Sequence, residues 1–300
     1  MHDPDPSALD ARFGVPGRVS FHDVNGIAVV EITHAAASAR IAMQGAQLMT
    51  WAPTGMEPVI WLSPRARLAP GVAIRGGVPV CWPWFGPHAS EPSLPSHGFA
   101  RTAPWELLQV EPAPQSTELL FRLSPGDVPG APWPQAAELQ LRLAIGAGLE
   151  MELVTRNRGD RPLTIGQALH TYFGVGDVRR VRIEGLDGCP YIDKVAGGRR
   201  GIQRGAVTID GEVDRIYLDA TADCVIDDPV LARRIRIAKR GSRSTVVWNP
   251  WADKAAKMGD VGENGYLHMV CVESGNVADD VVTVAPGSVH RLWVGYSVEG

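Results

Sequence analysis

Two arginines and a histidine frame an otherwise apolar part of the sequence that is rich in tryptophan and proline. The run Arg75-Gly-Gly-Val-Pro-Val-Cys-Trp-Pro-Trp-Phe-Gly86 begins with an arginine, and the run Leu94-Pro-Ser-His-Gly-Phe-Ala-Arg101 contains His97 and ends with another arginine. Guanidinium groups are planar forks that suit phosphate oxygens. Because the formal net charge of the chain is −4, a bound anion must be captured by a local cluster such as this one.

A histidine and a tyrosine stand together in the segment PLTIGQALHTYF, residues 162–173. Read as a strand, one face of this segment is an apolar core surface, formed by Leu163, Ile165, Leu169 and Phe173. The opposite face carries small side chains below His170 and Tyr172, which predicts open space and a strand that lines a pocket. The alternative, a histidine on a solvent-exposed sheet face, stays open.

Two carboxylates are further candidates. Glu273 closes an apolar strand in the segment Tyr266–Asn276, and Asp214 lies in a short polar segment with Glu212 and Arg215. A carboxylate and an imidazole that face one another suit proton transfer near neutral pH. Sequence spacing does not show whether Glu273 faces a histidine. The competing interpretations are a strand end that meets water and a turn with surface charges.

Other chemistries lack their signatures. The four cysteines show no CxxC spacing, and Cys81, His88 and His97 follow no recognised ligand pattern, so neither a disulfide framework nor a metal site is predicted. The sequence contains no glycine-rich nucleotide-binding motif and no GxSxG elbow. We therefore expect no metal and no cofactor.

Short segments with period-2 alternation must position these residues. The run AAELQLRLAI sets four aliphatic residues against charged and polar ones, and similar alternation recurs in GLEMELVTRN, STELLFRLS, DVRRVRIEG, STVVWNP and SVHRLWVGYSV. Long 3.6-residue periodicity is missing, although Asp227–Arg234 and Asp253–Met258 are compatible with a helical turn or two. The pattern predicts an all-β protein: one large antiparallel β-sandwich with a few short helices.

The chain is expected to form a single domain, residues 1–300. Residues 1–19 are expected to be a loosely ordered N-terminal extension and residues 20–298 the sandwich. The acidic start is unlike a signal peptide, and no apolar stretch reaches the length of a membrane span, which predicts a cytoplasmic protein. The negative net charge, with no aromatic platform beside the basic run 233–243, predicts neither nucleic-acid nor membrane partners. A monomer is expected, with a weak homodimer as the alternative.

Six blocks together resemble one family. They are the two runs around Arg75 and Arg101, His170-Thr-Tyr-Phe173, Glu212-Val-Asp-Arg-Ile-Tyr217, Trp248-Asn-Pro-Trp251 and Cys271-Val-Glu-Ser-Gly-Asn276. In this order they are similar to the hexose-6-phosphate mutarotases, also called glucose-6-phosphate 1-epimerases, a branch of the aldose 1-epimerase family. The resemblance covers residues 20–298 and implies a galactose mutarotase-like sandwich with the sugar on a concave sheet surface.

The resemblance also implies the roles of individual residues. His170 matches the family's catalytic histidine and Glu273 its catalytic carboxylate. Substrate-binding positions are matched by a list of five residues: Arg75, Ser96, His97, Arg101 and Asp214, with the two arginines on the phosphate. Ser96 departs from the pattern, because this branch often has glutamine there, and serine removes a long amide able to reach a sugar hydroxyl or a phosphate oxygen.

The implied reaction exchanges the α and β anomers of a hexose 6-phosphate, which makes the protein an isomerase. The C1 hydroxyl must lose a proton while the ring oxygen gains one, so the reaction needs one base and one acid. We expect Glu273 to be the base and a protonated His170 the acid, on opposite sides of the C1–O5 unit. The alternatives are a 1-epimerase of non-phosphorylated hexoses and a non-catalytic protein that binds sugars or sugar phosphates. The preferred hexose 6-phosphate is not encoded in any of these patterns.

Overall fold

Antiparallel strands make up most of the protein. The computed structural model describes residues 4–128, 131, 133 and 135–300. Within this part, the α-helices are α1 (Pro6–Phe13) and α2 (Trp251–Met258), and single 3₁₀ turns cover Pro125–Asp127, Gly265–His268 and Ala278–Asp280. The strands are β1 (Val19–Val24), β2 (Ile27–His34), β3 (Ala37–Ala42), β4 (Gln47–Pro53), β5 (Val80–Cys81), β6 (Glu106–Pro112), β7 (Ser116–Leu123), β8 (Ala137–Gly146), β9 (Leu149–Asn157), β10 (Leu163–Ile165), β11 (Gln167–Leu169), β12 (Tyr172–Gly174), β13 (Arg182–Glu184), β14 (Pro190–Asp193), β15 (Arg199–Ile202), β16 (Val213–Tyr217), β17 (Cys224–Asp228), β18 (Arg233–Arg240), β19 (Ser244–Asn249), β20 (Met269–Asn276), β21 (Val282–Val284) and β22 (Val289–Glu299).

The strands form two large sheets and two smaller ones. The front sheet has the order β15-β14-β16-β19-β20-β11-β5, with β12 also paired to β20, and the back sheet has the order β13-β17-β18-β22-β9-β8-β7-β6. Strands β1 to β4 form a meander in sequence order, and β10 pairs with β21. The pairings within the front and back sheets are antiparallel. The predicted antiparallel β-sandwich is confirmed.

Period-2 alternation explains these strands. Strand β8 alternates buried and half-exposed residues along its length, as the run AAELQLRLAI predicts, and β7 shows the same pattern. The inward-facing side chains of the front and back sheets belong to one apolar core. Phe173 of the front sheet and Tyr296 of the back sheet meet edge to face, with ring centroids 5.2 Å apart. This core holds the front sheet rigidly from behind.

The N-terminal segment differs from the sequence expectation of a loosely ordered extension. Residues 6–13 form helix α1, because the Asp5 side chain accepts a hydrogen bond from the Ser7 amide and Pro6 occupies the first turn. Leu9 of this helix is buried in the core. Residues 1–3 lie outside the described part of the chain. Neither helix of the described residues has the length and apolarity to cross a bilayer.

The two expected helical turns have different outcomes. Residues 253–258 belong to α2, which ends at Gly259 in the left-handed region. Residues 227–234 are instead the end of β17, a turn and the start of β18. The Asp228 carboxylate accepts hydrogen bonds from the amides of Val230 and Leu231, and this side-chain turn replaces a helical one.

The predicted strand over residues 162–173 is broken into three short strands. Strands β10, β11 and β12 are separated at Gly166 and at His170–Thr171. At the second break the Thr171 amide donates to the Leu169 carbonyl, and the His170 amide donates to the carbonyl of Pro79. The turn keeps both His170 and Tyr172 on the side of the front sheet that faces away from the core.

Candidate active site

The outward face of the front sheet carries most of the candidate residues. On β20, Val270 and Val272 point into the main core, whereas Cys271 and Glu273 belong to the opposite face. Pairing across strands places Glu273 beside Val246, and Trp248 beside both Cys271 and Asp214. Strand alternation therefore puts these side chains on one surface.

A cavity of about 280 Å³ lies on this surface. Its volume is just below the range for drug-sized small-molecule sites, roughly 300–1,000 Å³, so it suits a ligand of monosaccharide size. Its walls combine aromatic, cationic and acidic side chains: Arg75, Phe85, His97, Arg101, His170, Tyr172, Lys194, Asp214, Val246, Trp248, Lys254, Met258 and Glu273. Six of the seven site residues predicted from the sequence are in this lining.

His170 and Glu273 are in direct contact. The imidazole Nε2 lies 3.4 Å from Glu273 Oε1, and both side chains are buried. Glu273 Oε2 and His170 Nδ1 have no hydrogen-bond partner among the described residues. The expected placement of the acid and the base on opposite sides of the substrate stays a prediction. His170 Nε2 and Glu273 Oε1 are close enough for two oxygens bonded to the same carbon to contact both atoms at once.

Burial sets the protonation of this pair. It lowers the pKa of His170 well below 6.5, and the neighbouring His97, Arg101 and Arg75 lower it further. Burial also raises the pKa of Glu273 well above 4.5, with Asp214 adding to the shift. Both shifts favour the neutral form of each group in the ligand-free protein. This differs from the expected protonated His170, because desolvation penalises the imidazolium.

Arg75 is held in the cavity wall by two contacts. Its Nε donates to Asp260 Oδ1 at 3.0 Å, and its Nη1 donates to the Tyr172 hydroxyl at 2.9 Å. The Tyr172 ring stacks on the His170 ring, with centroids 4.9 Å apart and planes at 11°. Burial raises the pKa of Tyr172, so the phenol stays neutral. Arg75 and His170 are thus linked through one tyrosine.

Arg101 is the exception among the cations of the lining. Its Nη2 donates to the Ser96 carbonyl at 2.7 Å, and it has no carboxylate partner among the described residues. The Ser96 side chain is exposed and is absent from the cavity wall, so its predicted contact with substrate has no support from this geometry. The structure gives Ser96 a backbone role, as the acceptor for Arg101.

His97 stands between the arginines and the acid–base contact. Its ring meets those of Phe85 and His170 edge to face, at 4.7 and 5.5 Å. Burial, together with Arg101, Lys194 and Arg75, lowers the pKa of His97 to about 3. The Gly86 amide donates to its Nδ1 at 3.3 Å, which leaves Nε2 as the protonated nitrogen of a neutral ring. His97 is therefore a hydrogen-bond donor rather than a cation.

Asp214 is paired with a lysine that the sequence analysis missed. Lys194 Nζ lies 3.3 Å from Asp214 Oδ2, and Lys254 Nζ lies 2.7 Å from Glu212 Oε1. Single lysines on a turn and a helix carry no sequence signal for a site. Tyr172 did carry one, since it shares the predicted pocket face with His170. Lys194, Lys254 and Arg75 each pair with a carboxylate, whereas Arg101 has no such partner in the part of the chain that the structure describes.

A possible metal-ligand group also lies here. Ligand atoms of His170, Cys271 and Glu273 are within 4.8 Å of one another, and all three residues are buried. Burial raises the pKa of the Cys271 thiol well above 9.0, and Arg75 and Arg101 place positive charge beside the group. The positive charge of these neighbouring arginines opposes a bound divalent ion. These residues therefore fit proton transfer better than metal binding.

Comparison with known proteins gives a consistent result. A family model described as aldose 1-epimerase matches residues 28–297. A protein of Salmonella typhimurium is 38% identical over 257 residues, covering 85% of each chain, and one of Escherichia coli is 39% identical over 247 residues, covering 82% of each. Both have the provisional name glucose-6-phosphate 1-epimerase. A crystal structure of a provisionally assigned mutarotase from Salmonella typhimurium is 35% identical, with a TM-score of 0.90 over 95% of both chains.

Proposed function

Because the chain belongs to the aldose 1-epimerase family, we propose that it interconverts the α and β anomers of hexose 6-phosphates, with glucose 6-phosphate as the expected substrate. The relatives named above support the phosphorylated substrate. The observation that carries the proposal is the convergence of the His170–Glu273 contact with Arg75 and Arg101 in one cavity of monosaccharide size.

The reacting edge of the sugar matches the His170–Glu273 contact. In a cyclic hemiacetal the C1 hydroxyl oxygen and the ring oxygen are bonded to the same carbon. With Glu273 Oε1 at the C1 hydroxyl and His170 Nε2 at the ring oxygen, the carboxylate accepts one proton as the imidazolium donates another, and the C1–O5 bond breaks. Rotation about C1–C2 and reclosure with the roles exchanged gives the other anomer. Proton transfer by positioned groups contributes on the order of 10²–10⁴-fold.

Arg75 and Arg101, the phosphate clamp, have a separate role. A sugar phosphate brings a dianion into a protein of net charge −4, and Arg101 supplies the one cation of the lining without a carboxylate partner in the described residues. Arg75 is already oriented by Asp260 and Tyr172. We place the 6-phosphate between the two guanidinium groups, with Asp214 and His97 at the sugar hydroxyls. The binding contribution of Ser96 stays a prediction.

The direct test is magnetisation exchange between the C1 anomers of glucose 6-phosphate. The purified protein is expected to accelerate exchange above the spontaneous rate, and to act more slowly on free glucose. Equal rates on both sugars would favour a 1-epimerase of free hexoses. Tight binding of glucose 6-phosphate with exchange at the uncatalysed rate would favour a non-catalytic binding protein, and would contradict the proposal.

Two further properties belong to the proposal. We place the enzyme in the cytoplasm, since the four cysteines, all within the described residues, are free thiols of the kind that a reducing compartment maintains. We expect a monomer, and light scattering across a concentration series would reveal a weak homodimer. We expect the sugar substrate to be the binding partner of this protein. The size of the cavity and the aldose 1-epimerase family both support a sugar ligand.

A further inference from the structure

Tyr172 belongs to both halves of the candidate site. Its hydroxyl accepts a hydrogen bond from Arg75 in the phosphate clamp, and its ring stacks on His170 of the acid–base pair, His170 and Glu273. Trp61 stacks on the same tyrosine, with centroids 6.0 Å apart and planes at 19°. The Tyr172 side chain is buried. A ring confined in this way cannot respond to Arg75 without altering its contact with the imidazole.

The charge that reaches His170 comes from the clamp. The groups that act on the imidazole are Glu273, in contact with it, and His97, Arg101 and Arg75. His97 is neutral because its pKa is lowered to about 3. With the proton on Glu273, the arginines are the charged groups of this set. Their positive charge opposes the imidazolium that the proposed reaction needs.

Resting on the function proposed above, we propose that phosphate bound at the clamp activates the acid–base pair as well as anchoring the sugar, and that Tyr172 is the positioning residue that couples the two. The phosphate dianion offsets the charge of Arg75 and Arg101. The proton then transfers from Glu273 Oε1 to His170 Nε2, which leaves the carboxylate as base and the imidazolium as acid. No proton is gained or lost.

If phosphate activates the acid–base pair, a phosphate-like dianion should accelerate anomer exchange even when it is not attached to the sugar. The experiment measures anomer exchange of free glucose with increasing inorganic phosphite. Phosphite is expected to raise the exchange rate by about 5- to 150-fold, the usual range of coupling between two ligands. Arg101→Ala is expected to abolish this activation. A clamp that only anchors the sugar would give no activation.

The role of Tyr172 is tested by Tyr172→Phe, which removes the hydroxyl and keeps the ring on His170. Calorimetry measures phosphite binding separately from its effect on exchange. We expect the variant to bind phosphite while its phosphite activation falls several-fold. Tyr266→Phe is the matched control, because Tyr266 packs on Trp251 outside the cavity lining, and it should behave as the wild type. Equal losses on glucose 6-phosphate and free glucose would indicate a merely structural role for Tyr172.

The two proposals fail in different ways. If the protein exchanges the anomers of glucose 6-phosphate but phosphite leaves free glucose exchange unchanged, the coupling is wrong and the function stands. Activation that survives in Arg101→Ala would place the phosphite effect elsewhere and would also overturn the coupling. If no anomer exchange occurs with either sugar, the proposed function itself is wrong.

Discussion

At the scale of single residues, the acid–base pair is a contact in which burial shifts both pKa values toward the neutral forms. Glu273 is 1% exposed and one of its oxygens lacks a partner in the described residues. An acid kept neutral and an imidazole kept neutral are both poised to exchange a proton when the local charge changes. The same burial costs stability, since a buried ionisable group is worse solvated than in the unfolded chain.

Division of labour between the pair and the clamp gives the first prediction. His170→Ala or Glu273→Ala should lower kcat on glucose 6-phosphate by about 10²–10⁴-fold, with phosphite binding retained. Arg101→Ala should lower kcat/KM on glucose 6-phosphate by roughly 10- to 100-fold through a lost charge-assisted hydrogen bond. It should not lower the exchange of free glucose, because it removes a charge that opposes the His170 imidazolium. Arg204→Ala, an exposed arginine outside the lining, is the control. Identical effects of all three site substitutions on both sugars would contradict this division.

The raised pKa of Glu273 gives the second prediction. Its pKa in the folded protein is well above the unfolded value of 4.5, so between these values the folded state holds more protons. The contribution of Glu273 to the free energy of unfolding is therefore fully present below pH 4.5, and it is lost as the pH rises toward the pKa of the folded state. Glu273→Gln should therefore raise Tm at pH 7.5 relative to wild type by more than it does at pH 4. The exposed Glu299→Gln serves as control, and a pH-independent Tm difference for Glu273→Gln would argue against the shift.

At the scale of elements, close backbone contacts join the run that contains Trp82 to the run that contains His97 and Arg101. Trp82 donates to the His97 carbonyl, and its own carbonyl accepts from the Phe99 amide. Gly98 lies between them with φ +72°, and a Cβ at this position would be 1.9 Å from the Trp82 oxygen. A side chain would therefore clash with backbone that cannot yield, and the clamp depends on this approach.

This packing predicts different costs for two glycines with almost the same dihedral. Gly86 has φ +74° and open space around its Cβ position, so Gly86→Ala should cost about 1–2 kcal/mol from the left-handed conformation alone. Gly98→Ala should cost clearly more, and should raise KM for glucose 6-phosphate because Arg101 follows three residues later. Thermal unfolding and steady-state kinetics of both variants provide the comparison. Equal destabilisation would mean that the close approach to Trp82 is unimportant.

At the scale of the whole molecule, the back sheet supports the site from behind. Tyr296 of β22 reaches across the core, where its hydroxyl lies 2.7 Å from Thr171 Oγ1, next to His170. Both side chains are buried. The turn that presents His170 is thereby tied to the opposite layer of the sandwich.

Removing this tie gives a prediction for the sandwich. Tyr296→Phe deletes the hydroxyl but leaves Thr171 an acceptor, the Leu169 carbonyl at 3.3 Å. The free energy of unfolding should fall by about 1 kcal/mol, the usual net value of such a hydrogen bond. Denaturant unfolding of this variant beside Tyr266→Phe measures it. A variant as stable as the control would show that the layers are held by apolar packing alone.

Local patterns were sufficient for much of the architecture. Alternation in β7, β8 and β9 depends on side chains one and two residues apart, so it can be read from the chain and yields the sandwich. It did not yield the helix at residues 6–13, which depends on Leu9 docking onto the core, or the breaks in residues 162–173. Lys194 and Lys254 were missed because an isolated lysine has no local signature.

The sequence by itself determined the strand content, the apolar core and, through six blocks in family order, the residues that belong together. Only the tertiary structure decided that His170 and Glu273 touch, that Arg101 lacks a carboxylate partner in the described part of the chain, and that Tyr172 contacts both the phosphate clamp and the acid–base pair. The physical reason is that distances, burial and charge compensation depend on strands brought together across the sheet. Alternation tells which way a side chain points, and it does not tell what the side chain meets.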